Sequence, residues 1–526
     1  MINPINATLK QVICFGKSLV TIDNVIDLSE KGLTAQLSTD KDYLSFIQRG
    51  ADYVMQILAE GKPVYGINTG LGDSCDVVIA NHLALALSKQ LVTYHGCGLG
   101  AYFSSKQAKA IIAVRIASLA KGYSGVRPIL LQQLVAFLNH NITPLIPSEG
   151  SVGASGDLTP LSYLAASLCG EREVLYKGER MQAHKALNLA GLQCLVLQPK
   201  EALALMNGTS VMTALACEAY SRAHYLMQLA TRITAMASFA LDGNAHHFDE
   251  FLFSLKPHAG QQNIAQWIRQ DLIIDDYAHS GRIQDRYSIR CAPHILGVLA
   301  DALVWIKTDI ENEINSVNDN PIIDAERGRV MHGGHFYGGH IAFTMDSLKN
   351  QVANIADMLD RQMALLVDSR YSNGLPNNLS GSCVANSSIN HGLKALQISV
   401  SAWTAEALKL TMPASVFSRS TESHNQDKVS MGTIASRDCL RILELTEQVS
   451  AAMLIAVFQG VQLRLKLPKQ ACIHTNLANM VKMLSTHITF IEEDRALQPE
   501  LEQLIIQIRL RAWPLYMSGE STESVS

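Results

Sequence analysis

IAFTMDSLKNQVANIADMLDRQMALL, residues 341–366, is the stretch that decides the fold. Its large apolar residues recur every three or four positions, which places them on one face of an α-helix. They are Ile341, Met345, Leu348, Val352, Ile355, Leu359, Met363 and Leu366. Asp346, Lys349 and Asp357 fall off this stripe. The spacing predicts one long helix whose apolar face packs into a helical core.

Helical periodicity of the same kind recurs elsewhere in the second part of the chain. Residues 201–239 and 439–463 are similarly periodic and rich in small and aliphatic residues. Long helices that each carry an apolar stripe bury it by packing together as a bundle. We therefore predict that residues 201–526 form a long helical bundle with further C-terminal helices.

The first two hundred residues read differently, because glycine clusters interrupt their shorter helical stretches. The clusters lie at residues 66–72, 96–100, 122–125 and 150–156. Glycine is the residue for backbone with positive φ or for close approach of chains. The predicted fold is mainly α: a smaller, glycine-loop-rich N-terminal region, residues 1–200, carries the functional loops, and the bundle follows.

Composition and charge exclude several classes of protein. The 526 residues are 48% apolar and 17% charged, with a net charge of −4. The charged share is below the roughly 25% of an average soluble domain, which predicts a large core and surface buried between subunits. No basic patch indicates a nucleic-acid partner.

The cysteines and the apolar segments bear on location. No two of the ten cysteines form a C-x-x-C pair, which argues against zinc ligation and a disulfide framework. We expect reduced, mostly buried thiols in a cytoplasmic protein. The first twenty residues show no signal-peptide pattern, and Ala451–Phe458 is far shorter than the roughly 20 residues of a membrane helix. The sequence thus predicts no membrane partner.

The most informative segment for chemistry is GSVGASGDLTP, residues 150–160. Composition alone is typical of a flexible turn or of an anion site at a helix start. The order Ala154-Ser155-Gly156 adds another possibility. An unshielded glycine nitrogen can attack the carbonyl carbon two residues back, and the serine can lose water, which yields a methylidene-imidazolone electrophile. Gly150 and Gly153 permit the tight turn that this cyclisation needs.

GSVGASGDLTPLSY, residues 150–163, closely resembles the signature of the histidine, phenylalanine and tyrosine ammonia-lyase family. Further segments resemble family blocks in the same order along the chain. They are YGINTGLG (65–72), GYSGVR (122–127), KEALALMNGT (200–209), QDRYSIRC (284–291), EINSVNDNP (313–321) and NQDKVSMG (425–432). The resemblance implies loss of ammonia from an aromatic amino acid, through an electrophile formed autocatalytically from Ala154-Ser155-Gly156, with no metal and no external cofactor.

The resemblance also implies catalytic roles for particular residues. Tyr65 would remove the β-proton, and a tyrosinate near neutral pH needs donors or positive charge, because an ordinary tyrosine has a pKa of about 10. Asn207 would stabilise negative charge on the carbonyl oxygen of the electrophile. The alternatives are a buried aromatic with a satisfied hydroxyl for Tyr65 and a helix N-cap for Asn207.

The remaining site residues are assigned to substrate binding or to framing the site. Arg290 would hold the substrate carboxylate in bidentate fashion, with a surface salt bridge as the alternative. Tyr287, counted with the catalytic residues, and Gln284 would help to frame the site. Phe336 matches a family phenylalanine, with ordinary core as its alternative. The resemblance further implies a homotetramer in which each active site is built from several subunits.

Two positions bear on the substrate. His95 aligns with the selectivity position of the family and can hydrogen-bond a phenol or an imidazole. Gln426 stands where histidine lyases have a glutamate. Together they predict L-tyrosine as substrate and trans-4-hydroxycinnamate as product, with phenylalanine next and histidine third.

Three departures from the family pattern keep other hypotheses open. His335 replaces a common asparagine and resembles some aminomutases, so an aromatic 2,3-aminomutase is an alternative. Leu71 replaces a common phenylalanine. Gly96, beside His95, predicts a roomier ring end of the pocket. A catalytically silent helical scaffold is the alternative outside enzymes, although intact Tyr65, Ser155 and Arg290 argue against it.

Overall fold

The computed structural model describes residues 12–273, 282–467 and 472–516. In chain order its α-helices are α1 (Ile22–Ile26), α2 (Lys41–Glu60), α3 (Ala84–Tyr94), α4 (Ser105–Leu119), α5 (Pro128–His140), α6 (Leu158–Leu168), α7 (Ala183–Leu189), α8 (Glu201–Met206), α9 (Ser210–Ala240), α10 (Glu250–Ser254), α11 (Ala259–Asp271), α12 (Tyr287–Arg290), α13 (Ala292–Ile314), α14 (Gly339–Val367), α15 (Lys394–Lys409), α16 (Gly432–Leu465), α17 (Thr475–Leu484) and α18 (Gln498–Arg509). A π-helical turn spans Asp27–Lys31, and 3₁₀ turns span Gly72–Ser74, Asn81–Leu83, Ala245–Phe248, Asn377–Leu379, Val384–Asn386 and Ala414–Phe417.

The strands are short and pair in small sheets. They are β1 (Val12–Phe15), β2 (Thr34–Leu37), β3 (Leu99–Tyr102), β4 (Thr143–Pro144), β5 (Pro147–Glu149), β6 (Glu173–Tyr176), β7 (Glu179–Gln182), β8 (Ile322–Asp324) and β9 (Arg329–Met331). β1 and β2 pair in parallel, whereas β3–β5, β4–β6–β7 and β8–β9 are antiparallel. The prediction of a mainly α fold is confirmed.

The chain folds into two compact units, each made of several segments. The first unit holds the described residues up to Ala219, together with Lys307–Asp346 and Pro413–Arg437. The second holds Tyr220–Ile306, Ser347–Met412 and the described residues from Asp438 onward. Every strand described above belongs to the first unit. Four of the five unit boundaries fall inside α9, α13, α14 and α16, and the fifth lies between α15 and the 3₁₀ turn Ala414–Phe417. The division of the chain between residues 200 and 201 remains a prediction.

The helix predicted from residues 341–366 is present as α14. All eight residues of the apolar stripe are at most 1% exposed. Two of the polar residues off the stripe are buried as well, because each meets a polar partner. Asp346 accepts hydrogen bonds from the backbone N–H groups of Ala414 and Ser415, both at 2.9 Å. Lys349 donates to the Met412 carbonyl at 2.8 Å and lies 3.4 Å from Asp438.

The other two periodic stretches are also helical, with one interruption. Residues 439–463 lie within α16, which begins earlier, at Gly432. Residues 201–239 do not form one helix: α8 ends at Met206, and α9 begins at Ser210. Asn207 is the C-cap of α8, so the alternative that it caps a helix N-terminus is wrong. The break places Asn207 and Gly208 in a loop.

The cysteines and one apolar segment depart from the sequence-based expectations. None of the ten cysteines, which all lie within the described residues, forms a disulfide. Only Cys217 and Cys439 are buried and five are exposed, so the expectation of mostly buried thiols is wrong. Residues 287–314 are long and apolar enough to cross a membrane, with a mean hydropathy of 1.5. In the 18-residue window of this segment that meets the criterion, 44% of the residues are buried. Core helices of water-soluble proteins meet the same length and composition criteria. The signal-peptide prediction rests largely on residues 1–11, which lie outside the described residues.

Candidate active site

A cavity of about 930 Å³ lies within the first unit. Its volume falls in the range of small-molecule sites. The lining residues include the Ala-Ser-Gly triplet and the other site residues that the sequence predicted within this unit. They are Tyr65, His95, Ala154, Ser155, Gly156, Asn207, Phe336 and Gln426, and Leu71 also lines the cavity. These residues are far apart in the chain, and the fold of one unit brings them to one concave surface.

The Ala154-Ser155-Gly156 triplet lies in a tight turn that leads into α6. Gly150, Gly153 and Gly156 have φ values of +118°, +68° and +67°. A Cβ on Gly156 would lie 2.2 Å from the Gly208 carbonyl oxygen, and one on Gly153 would lie 2.2 Å from the Ser430 hydroxyl. No side chain fits at those distances, so both the conformation and the packing require glycine.

The residue after the triplet anchors the turn to α9. The Asp157 carboxylate is fully buried and accepts hydrogen bonds from the backbone N–H groups of Val211 and Met212 at 3.0 Å, in the first turn of that helix. Its other oxygen accepts from Ser151, at 3.0 Å, and from Thr433. Burial raises the pKa of Asp157, while these four donors lower it. The turn is thus held in place by a buried carboxylate.

Asn207 sits at the break between α8 and α9. Its side-chain nitrogen donates to the Asn320 carbonyl at 2.8 Å. Its side-chain oxygen is buried and has no hydrogen-bond partner among the described residues. A buried polar atom beside a cavity normally has a partner, so the geometry leaves room for a polar group to be bound there. The compressed glycine turn fits the self-made electrophile that the triplet predicts. The second N–H of the Asn207 side chain, not its acceptor oxygen, is the group that could stabilise negative charge there.

The Tyr65 hydroxyl faces the loop that follows it. It accepts a hydrogen bond from the Gly72 N–H at 3.2 Å. The Tyr65 ring makes an edge-on contact with His332, with ring centroids 6.3 Å apart. Burial and the nearby Glu422 carboxylate raise the pKa of Tyr65, and the Gly72 donor lowers it. Within one chain, the environment therefore favours the neutral phenol, and ionisation requires further positive charge.

His95 caps the C-terminal end of α3 and lines the cavity. Its Nδ1 lies 2.9 Å from the Leu91 carbonyl oxygen. A carbonyl only accepts hydrogen bonds, so Nδ1 carries the hydrogen and Nε2 carries a lone pair in the neutral ring. Burial lowers the pKa of His95 below its ordinary value; the Leu91 carbonyl and Glu422 oppose this shift, and Arg172 adds the smallest of these effects, which also lowers the pKa. The ring is stacked at a tilt on Tyr94, with centroids 4.4 Å apart.

Gln426 lies close to the triplet. Its side-chain nitrogen is 3.5 Å from the Ser155 hydroxyl, and its side-chain oxygen accepts from Thr421 at 2.8 Å. Glu422, in the same loop, accepts from the Asp73 N–H at 3.2 Å and from the Asn425 side chain at 3.1 Å. The loop that carries Gln426 and the loop that follows Tyr65 are therefore joined through a carboxylate.

Three of the site residues expected from the sequence lie elsewhere. Gln284, Tyr287 and Arg290 belong to the second unit and are not among the residues that line the cavity. Tyr287 is 71% exposed. The Arg290 guanidinium lies over the Tyr287 ring, 4.6 Å from its centroid, and donates to the Asp285 carbonyl at 2.9 Å. Their assignment to the site remains a prediction.

The cavity also includes residues that the sequence patterns did not single out, among them Tyr94, Asn320, His332, Glu422 and Lys428. Glu422 stands four positions before Gln426, and that proximity was its only sequence signal, because a single carboxylate in a polar segment is usually solvated. The sequence offers even less indication that His332 lines the site, since its only distinguishing feature is that two glycines follow it. His335, by contrast, is exposed and is not among the lining residues.

Comparison with known proteins agrees with this geometry. A family model described as aromatic amino acid lyase matches residues 20–485. Histidine ammonia-lyase of Bacillus velezensis is 36% identical over 495 residues, which cover 93% of this chain and 94% of that protein. The structure of histidine ammonia-lyase from Trypanosoma cruzi matches with a TM-score of 0.85 and 28% identity, over 95% of this chain and 94% of that one. Tyrosine aminomutase of Streptomyces globisporus matches with a TM-score of 0.87 and 28% identity, over 95% and 98%.

The mainly α fold and the match over most of the chain define a carbon–nitrogen lyase. More narrowly, the chain belongs to the aromatic amino acid lyase family. The proteins compared above include both ammonia-lyases and an aminomutase.

Proposed function

We propose that this enzyme removes ammonia from L-tyrosine and releases trans-4-hydroxycinnamate. The observation that carries the proposal is the hydrogen bond between His95 Nδ1 and the Leu91 carbonyl. It leaves Nε2 of a cavity-lining histidine as an acceptor, and a phenol is a donor. L-Phenylalanine brings no donor, so its binding would leave a buried acceptor without a partner.

The triplet Ala154-Ser155-Gly156 would form the methylidene-imidazolone, and Asn207 would hold it. That group supplies an electrophile for the substrate amine. The chain's own residues supply the rest: the second N–H of the Asn207 side chain stabilises negative charge on the carbonyl oxygen of that group, and the Tyr65 hydroxyl oxygen, once ionised, takes the β-proton. Gln426 lies beside Ser155 and, unlike a glutamate, offers no charge partner to an imidazole.

We further propose a homotetramer in which Gln284, Tyr287 and Arg290 of another copy complete each cavity. The exposure of Tyr287 supports this, and a carboxylate-binding arginine must reach the substrate. A positive charge brought in by Arg290 would also offset the effects that raise the pKa of Tyr65. Exposed apolar side chains on α13 and α15 support burial between copies: Val298, Ile398 and Leu408 are 45%, 63% and 39% exposed.

The test is to incubate the purified enzyme with L-tyrosine, L-phenylalanine or L-histidine, to follow the ultraviolet absorbance of the conjugated acid, and to analyse the products by mass spectrometry. We expect tyrosine to be strongly preferred and His95→Phe to reverse that preference. Ser155→Ala should abolish both activity and the absorbance of the electrophile while the protein stays folded. Turnover of histidine alone would contradict the proposal.

L-Histidine is the second candidate substrate. It is favoured by the relatives, since the Bacillus velezensis protein is a histidine ammonia-lyase, and by Glu422, a carboxylate in the cavity wall. Both oxygens of Glu422 already accept hydrogen bonds, which makes it a weaker partner for an imidazole. An aminomutase is the third candidate, and a β-amino acid product in the same assay would identify it.

A further inference from the structure

The space beside Gly96 is occupied. A Cβ on Gly96 would lie 2.4 Å from a terminal nitrogen of the Arg172 guanidinium. The sequence-based prediction that Gly96 enlarges the ring end of the cavity is therefore wrong. Gly96 makes room for an arginine side chain instead.

The Arg172 side chain binds the end of the helix that carries His95. One terminal nitrogen donates to the Val92 carbonyl, in the last turn of α3, at 2.7 Å. The other donates to the Ser162 hydroxyl at 2.9 Å. The Ser162 hydroxyl lies 3.2 Å from the His95 carbonyl oxygen and 2.7 Å from that of Thr159. A cation at a helix C-terminus also interacts favourably with the helix dipole.

The arginine is held firmly and at a conformational cost. Its guanidinium stacks on the Tyr163 ring, 4.1 Å from the centroid, and the Tyr163 hydroxyl accepts from the Gly98 N–H at 3.2 Å. Its backbone has φ = +63°, a left-handed conformation that is unfavourable for residues with a side chain. Strained backbone of this kind persists where surrounding contacts maintain it and is enriched at functional sites.

We infer that Arg172 is a positioning residue that sets substrate selectivity, because its forked contacts fix His95 at the ring end of the cavity. The inference rests on the proposed function, in which His95 accepts the phenol hydrogen. The guanidinium has two effects: its fork fixes the helix end, and its positive charge opposes protonation of His95. Among the described residues, the charged and titratable groups around His95 are Arg172, Glu422, Tyr94 and Cys97, with Tyr163 behind the guanidinium.

Two substitutions separate these effects. Arg172→Gly removes the side chain and relaxes the strained backbone, so it has no conformational reason to misfold. We expect kcat/KM for L-tyrosine to fall about tenfold and that for L-phenylalanine to change less than about twofold. The acid limb of the pH profile for tyrosine, where kcat/KM falls as pH decreases, should move slightly to higher pH, because Arg172 makes a minor contribution to the lowered pKa of His95 and its charge is lost. Arg172→Lys keeps the positive charge but cannot make both hydrogen bonds of the guanidinium. The acid limb of the pH profile should therefore stay in place, while KM for tyrosine rises.

Arg180→Met is the matched control, since Arg180 lies on β7 and pairs with Glu173 in an exposed ion pair. It should leave the ratio of the two kcat/KM values and the pH profile unchanged. An equal fall for both substrates in Arg172→Gly, or an unmoved ratio and acid limb, would overturn the inference. His95→Phe is run in parallel: if it leaves selectivity unchanged, the proposed function has failed, whereas a response to His95→Phe without one to Arg172→Gly rejects only the role of Arg172.

Discussion

At the scale of single residues, the proposed chemistry depends on the protonation of Tyr65 and His95. The Tyr65 hydroxyl accepts one backbone donor, from Gly72, while burial and Glu422 raise its pKa. The pKa of His95 is lowered, chiefly by burial and to a small extent by Arg172, and this favours the neutral ring. Tyr65 therefore needs further stabilisation of its ionised form to act as a base, whereas His95 is already in the neutral form that can accept a hydrogen bond from a phenol.

Replacing Tyr65 with phenylalanine removes the base and keeps the ring. We expect kcat to fall by about 10²–10⁴-fold, the usual contribution of a positioned proton acceptor, with little change in thermal stability because the ring still packs against His332. Steady-state kinetics and scanning calorimetry on the same preparation measure both quantities. Retained kcat would mean that another group takes the β-proton.

The protonation of His95 predicts a pH dependence of selectivity. The folded pKa lies below the ordinary value of 6.5, so the neutral ring, with its free Nε2 lone pair, prevails above pH 6.5. As pH falls through the lowered pKa, Nε2 gains a hydrogen and can no longer accept from a phenol. The ratio of kcat/KM for L-tyrosine to that for L-phenylalanine should be flat above pH 6.5 and decline below it. A ratio that rises on acidification would contradict this role.

At the scale of elements, the break between α8 and α9 organises the site. It places Asn207 on the cavity wall and leaves the first N–H groups of α9 available to the Asp157 carboxylate. Gly208 makes the break possible, because a Cβ there would lie 1.9 Å from the Arg115 guanidinium and 2.7 Å from the Asn318 carbonyl oxygen. Arg115 is fully buried and cannot move aside freely.

Gly208→Ala should therefore disturb both the stability and the site. We expect a loss of about 1–3 kcal/mol of stability, as for other overpacked core positions, seen as a lower Tm, and a weaker absorbance of the electrophile. Gly334→Ala is the matched control, since nothing lies within 4 Å of its added Cβ and its φ is not in the left-handed region. A Tm for Gly208→Ala equal to that of the control would show that the packing around Arg115 adapts.

At the scale of the whole molecule, the question is whether one chain makes a complete site. The residues that line the cavity all belong to one unit, but Gln284, Tyr287 and Arg290 belong to the other and do not line it. The proposed tetramer supplies them from another copy, and it also accounts for exposed apolar side chains such as Ile398, which is 63% exposed.

Shared sites predict complementation between inactive variants. Tyr65→Phe and Arg290→Ala should each be nearly inactive, but their coexpression should restore activity well above either parent, because some mixed sites take the intact residue from each chain. Tyr65→Phe with Ser155→Ala is the control pair: both residues line the cavity of one chain, so mixing cannot unite two intact ones. If coexpression of Tyr65→Phe and Arg290→Ala restores no activity although mass spectrometry shows mixed oligomers, the active sites are not shared between subunits.

The local sequence determined the long helices and the reactive turn. The spacing of its eight apolar residues suffices to predict α14, since an apolar stripe of this length is buried in the core whichever helix packs against it. The order Ala154-Ser155-Gly156, with glycines around it, likewise indicates its chemistry from adjacent residues alone. The flanking glycines then adopt the left-handed φ that this chemistry needs.

Only the tertiary structure decided which distant residues meet, because through-space contacts depend on packing that no local pattern encodes. It placed Glu422 in the cavity wall, exposed five cysteines, and buried Asp346 and Lys349 by giving each a polar partner. It also filled the space beside Gly96 with Arg172, a residue 76 positions away. From the sequence, Gly96 signals a gap; in the fold, the same glycine is what allows a guanidinium to reach the helix of His95.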